Sequence, residues 1–188
     1  MVAIGVTGHR NLTNEEQLLS GVDQALNHIQ GAFPNSRITI ISPLAEGADR
    51  LVAWRAMANN DADLVVPLPL DVEEYMLDFS KISSKAEFVT LLEQAAQVIE
   101  LPVLENREDS YLAVGLYVLK QCDILIAIWD GLPARGPAGT GQIVAHAREQ
   151  KKPLAWIFAG SQDQDKIPAS LSELKPGEVE FEYFPSAY

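Results

Sequence analysis

Disulfides, membrane spans and a basic surface are all missing from this sequence. Its 188 residues hold one cysteine, Cys122, so no intrachain disulfide forms and no thiolate metal framework exists. Cys122 stands just before an apolar run and reads as a buried thiol at a helix end. No apolar stretch approaches the ~20 residues of a membrane span. The opening Met1-Val2-Ala3-Ile4-Gly5 lacks the charged n-region and cleavage site of a signal peptide, and a cytoplasmic location is the expectation. Basic residues number 14 against 26 acidic ones, a formal net charge of -12. Such a surface repels phosphate backbones and argues against nonspecific nucleic-acid binding, while leaving room for a small anion in a locally positive pocket. Of the three histidines, His28 and His146 fall on helical stretches without metal-ligand spacing, and no metal site is expected.

What is present is a core. The chain is 47% hydrophobic, and its length suits one domain that needs no staple. Short apolar runs rich in Val, Ile and Leu occur at 2–6, 38–41, 64–66, 98–101, 124–129 and 154–158. They alternate little with polar residues, as strands buried on both faces do. Longer stretches of helical periodicity separate them. The expected fold is therefore α/β: a Rossmann-like three-layer sandwich around a mainly parallel sheet, in a single domain. Residues 1–160 would form the nucleotide-binding unit and 161–188 a C-terminal extension packed on it.

Thr13 and Glu16 have the spacing of a capping box. Behind them Leu18, Val22, Ala25, Leu26 and Ile29 share one helical face, and Gly31 and Pro34 end the helix. A second helix spans about 48–60, and a third uses Phe88, Leu91, Leu92 and Ala95. Residues 111–120 are apolar on nearly every side and predict a helix sandwiched in the interior. A last strong helix begins near Gly139 and buries Ile143, Val144 and Ala147. Between them, 71–75 suggests a short helix and 79–84 an irregular loop, either a lid over a pocket or a surface excursion. Residues 179–184 suggest an edge strand or a partner contact.

Ligands of open parallel sheets sit outside the carboxyl ends of the strands. The first run is followed by Thr7-Gly8-His9-Arg10, the second by Ser42 through Arg50, and the fifth by Asp130-Gly131 and a loop to Gly139-Thr140-Gly141-Gln142. Gly139-Thr140-Gly141 opens a helix, whose free amides and dipole suit a phosphate; its spacing is neither a P-loop nor a G-x-G-x-x-G fingerprint. Arg10 can fork onto a phosphate or pair with Glu46 or Asp49. His9 can stack on a base, bond a ribose or stay a loop residue. Glu46 and Asp49 are candidates for ribose hydroxyls. Glu46 is also a candidate general base, and Asp49 a first-turn dipole partner at the helix that Gly47 introduces. Asp130 can bind ribose or pair with Arg135. Trp129, one position before it, is placed to report ligand by fluorescence.

These same segments, Thr7-Gly8-His9-Arg10, 44–50, 123–131 and Gly139-Thr140, together resemble the SMF/DprA–LOG (SLOG) superfamily over roughly 1–158. The resemblance implies a Rossmann-like fold. It also implies a choice among functions, because the superfamily holds nucleoside-monophosphate phosphoribohydrolases, domains assigned to sensing nucleotide-derived signals, and the DNA-uptake protein DprA. The phosphoribohydrolase signature P-G-G-x-G-T-x-x-E, laid on Gly139-Thr140, puts Arg135, Gly136 and Pro137 at P-G-G and Ile143 at the glutamate. Gln142, adjacent, cannot replace a carboxylate. The leading expectation is therefore a sensor or regulatory module that binds a nucleoside monophosphate or NAD-like ligand. It would require no cofactor, self-associate, and act on a separate effector protein. N-glycosidic cleavage of nucleoside monophosphates is the alternative, with Glu46 or Asp130 as the carboxylate.

Overall fold

The structure, a computed structural model, describes residues 1–134, 138–160, 168 and 171–184. The chain runs β1 (Val2–Gly8), α1 (Glu15–Ala32), β2 (Ile38–Ile41), α2 (Ala48–Asn60), β3 (Asp63–Leu68), α3 (Val72–Met76), α4 (Ile82–Glu93), β4 (Gln97–Glu100), α5 (Arg107–Gln121), β5 (Ile124–Trp129), α6 (Thr140–Glu149), β6 (Leu154–Phe158) and β7 (Val179–Glu182). Among the described residues, one seven-stranded sheet has the order β4-β3-β2-β1-β5-β6-β7. All neighbouring pairs are parallel except β6 and β7. This is the α/β three-layer architecture that the alternating runs predict. Among the described residues, no helix is long and apolar enough to cross a membrane.

The period of two along each strand divides the core. Ile124, Ile126 and Ile128 of β5 join Ile4, Val6 and the buried faces of α1 and α2 on one side of the sheet. Leu125, Ala127 and Trp129 face the other way, with Ile143 and Val144 of α6. All six β5 residues and all five of β6 are buried, which is why both read as unbroken apolar runs. The expected face of α1, Leu18 to Ile29, is the buried one. Cys122 caps the C-terminal end of α5 and is buried, and burial pushes its thiol up to about 11.

Four local expectations are corrected. The Thr13–Glu16 capping box does not form: Asn14 is the N-cap of α1, lies in the left-handed region at φ 61, and no side chain caps the helix. Helix α5 is not sandwiched. It buries Ser110, Val114, Val118 and Leu119 and leaves Leu116 exposed, because the sheet covers only one of its sides. Strand β4 is exposed at three of four residues, since it is the outer edge of the sheet. The 79–84 loop is shorter than expected, because α4 already starts at Ile82.

Candidate functional site

The strand order reverses direction about β1, whose neighbours are β2 and β5. At such a switch point the two following loops diverge and leave a crevice at the carboxyl end of the sheet. A cleft of about 450 Å³ lies there, within the range of small-ligand sites. It is lined by Gly8, His9 and Arg10 at the end of β1 and beyond it, by Trp129 and Asp130 at the end of β5, and by Gly139, Thr140 and Gly141 at the start of α6. The arginine trailing the first strand and the turn entering the last strong helix thus face one cavity.

The helices that follow β1, β2 and β5 all start at this edge, and the first turn of α1 carries Glu15 and Glu16, which disfavour an anion. The first amide of α2 is occupied: Ala48 N donates to His9 O at 3.0 Å. At α6 the N-cap Gly139 makes no side-chain cap. Gln142 Oε1 accepts the amide of Ala138 at 3.0 Å, one residue outside the helix, so Gln142 closes the turn and does not line the cleft. The amides of Thr140 and Gly141 keep no bond partner among the described residues and can serve an anion. Gly141 also packs beneath the preceding loop; a Cβ there would lie 2.8 Å from Ala134 N and 3.0 Å from Leu132 O.

Arg10 is exposed and forms no ion pair among the described residues; its guanidinium carbon lies 5.7 Å from the centre of the Tyr111 ring. His9 and Asp130 tie the two loops together. The Asp130 amide donates to His9 Nε2 at 3.2 Å, and Asp130 Oδ1 lies 3.2 Å from the same nitrogen. These contacts are alternatives: the amide needs the lone pair of Nε2, whereas the carboxylate needs a proton there. Asp130 Oδ1 further accepts Leu132 N at 3.0 Å. Arg135, Gly136 and Pro137 lie outside the described residues, and with them the suggested Asp130–Arg135 pair.

Not every residue picked from the sequence reaches this cleft. Thr7 stays inside β1, in register with Ala127. Gly131, at φ 79, turns the chain beneath Leu171 and Trp156. Ser42 is buried, and its hydroxyl accepts Leu44 N at 3.1 Å. Glu46 and Gly47 line a second, larger cleft of about 850 Å³ between α1, α2 and the start of α4. Glu46 there accepts a hydrogen bond from Ser84. The 71–85 insertion forms one wall of that cleft, held by Arg50, which donates to Ser84 O at 2.8 Å and to Glu87 Oε2 at 3.0 Å. Arg10 is shared by both clefts. His28 stacks on Phe181 at 4.0 Å, and His146 pairs with Glu149 within α6. Among the described residues, no group of acidic, His and Cys side chains has metal-binding geometry. Sequence reasoning missed Tyr111, Asn11 and Gly160, all of which line the first cleft.

Asp49 is buried beside the β2–α2 loop, with 4% exposure, and accepts Ala45 N at 3.2 Å. Burial pushes its carboxyl up to about 7; the Ala45 amide, the Ser42 hydroxyl and the charges of Arg10 and Arg50 pull the other way. A carboxyl raised in the folded state binds its proton there and not in the unfolded chain over the window from about 4 to 7. Stability therefore falls as pH rises through that window. Asp49→Asn should flatten the fall, which is on the order of 2 kcal/mol between pH 5 and pH 8. Urea unfolding at the two pH values measures it, and an unchanged slope in the variant would assign the pH dependence elsewhere.

No family model matches the chain, and no curated protein does. Among solved structures, DNA processing protein A (DprA) from Streptococcus pneumoniae is similar, with a TM-score of 0.53 and 15% identity, over 87% of this chain and 52% of that one. This chain spans about half the length of that structure. Likeness at this identity is likeness of fold, and the fold is the Rossmann-like one implied by the resemblance to the SMF/DprA–LOG superfamily.

Proposed function

We propose that the chain is a binding module for a nucleotide or nucleotide-derived ligand. The supporting observation is the convergence of the Arg10 guanidinium, without an ion-pair partner among the described residues, and the start of α6, without a side-chain cap, on one 450 Å³ cleft. Gly139, Thr140 and Gly141 offer amides to a phosphate, Arg10 supplies the charge, and Asp130 stands within the cleft for a ribose hydroxyl. Charge-assisted bonds contribute roughly 1.5–3 kcal/mol each. A few of them, after ordering costs, are consistent with a Kd in the micromolar range. The position of Glu46 favours binding over N-glycosidic cleavage. Its carboxylate belongs to the second cleft, and Asp130, already accepting from Leu132, is the only one of the proposed carboxylates that lines the first.

Titration with AMP, CMP, GMP, UMP and NAD by calorimetry, followed in parallel by Trp129 fluorescence, should give saturable binding of at least one of them. Chromatography of the same mixtures should recover the nucleotide intact. Absence of binding throughout would reject the module, and release of free base would replace it with a hydrolase.

A further inference from the structure

Tyr111 is the one aromatic side chain that α5 contributes to the cleft. Its hydroxyl is fully engaged away from any ligand. It donates to Asp78 and accepts Arg107 Nε at 3.1 Å. Arg107 in turn donates to Asp78 Oδ1 at 2.8 Å, and to Glu74 Oε2 and Glu74 O, each at 3.1 Å. Asp78 of the insertion and Arg107 of α5, itself anchored on Glu74, therefore fix the ring at its polar end. What Tyr111 offers the cleft is its π-face, half-buried and immobilised, and a long, exposed arginine side chain now covers it at 5.7 Å.

We propose that the face of Tyr111 is the platform on which the base of the ligand stacks, so that the cleft selects nucleotides over sugar phosphates. This rests on the reading of the cleft as an anion site. The phosphate at the start of α6 draws Arg10 off the ring, and the base takes its place. Aromatic faces hold a stacked base well because every base presents a π-surface of its own. The ring costs little ordering entropy, since its rotamer is already set by Asp78 and Arg107.

Calorimetry with AMP and with ribose 5-phosphate, on the whole chain, separates the two levels. The wild type should bind AMP about tenfold or more tightly than ribose 5-phosphate, the scale of one base–aromatic stack. Tyr111→Phe keeps the ring but loses the bonds to Asp78 and Arg107 that fix it, and should retain most of that ratio. Tyr111→Leu should bring the two ligands to equal affinity without weakening ribose 5-phosphate. Equal affinities in the wild type overturn the platform and leave the anion cleft standing. An undiminished preference for AMP in a folded Tyr111→Leu protein overturns it as well. Failure of both ligands to bind the wild type sinks the anion site along with it. The wild-type ratio decides the matter even where the leucine variant does not fold.

Discussion

Arg10→Glu should weaken nucleotide binding by about a hundredfold or more while leaving the folded chain nearly as stable as before. The substitution removes a guanidinium whose charge-assisted bonds to a phosphate are worth roughly 1.5–3 kcal/mol. It also places a like charge in a cleft that already holds Asp130, and like charges in a confined site repel more strongly than in open water. Stability is spared because Arg10 is exposed and makes no ion pair among the described residues; its one aromatic contact is long, at 5.7 Å. The change does remove one of the positive charges that ease the burial of Asp49, so the small stability loss should grow above neutral pH. Calorimetry gives the affinity and thermal melting the stability. Arg10→Lys should fall between, because an ammonium keeps the charge and loses the fork. Nucleotide affinity unchanged in the glutamate variant would remove Arg10 from the site.

The position of this cleft was legible in the sequence, and its membership only in part: Gly8, His9, Arg10, Asp130 and the 139–141 turn line it, whereas Glu46 does not and Tyr111 was missed. Strands β1, β5 and β6 announce themselves because helices cover both their faces, so sequence runs and burial coincide. Once the strands are parallel, the loops after them must gather at one edge. The sequence pattern does not say that this edge carries two clefts. Glu46 follows β2 and Asp130 follows β5, both at carboxyl ends, yet they open into different cavities. The 71–85 insertion walls off the one nearer β2, and that wall is built by contacts of Arg50 and Glu46 with residues more than thirty positions away. Tyr111 escaped notice for a related reason. Its segment is apolar on all sides, and only the covering of one side by the sheet reveals that the tyrosine points elsewhere. The Thr13–Glu16 spacing misled because capping depends on backbone dihedrals, and Asn14 takes a left-handed turn that moves the cap one residue along.

Gly47 lines the second cleft and packs against the loop that carries Arg10 into both, so its replacement should show how tightly the two are built together. Gly47 has φ 81, and a Cβ there would stand 2.3 Å from Arg10 O and 2.4 Å from His9 O. Neither neighbour is a flexible side-chain end; both are backbone carbonyls of the loop that presents Arg10. That loop is held in turn, since His9 N donates to Ile128 O and His9 O accepts Ala48 N, each at 3.0 Å. Gly47→Ala must therefore strain φ and push the 9–10 loop away from the start of α2, breaking the bond that satisfies the helix's first amide. A cost of about 3 kcal/mol or more follows from strain and displaced backbone together, or roughly 6–12 °C in Tm for a chain of this size. Gly31→Ala is the matched control. It lies within α1 with nothing inside 4 Å of the added carbon, and helix propensity alone should make that variant about 0.5–1 kcal/mol more stable. A Gly47→Ala protein that melts with the wild type would mean that the loop after β1 can move freely relative to α2. Arg10 would then not be held by the backbone where the cleft requires it.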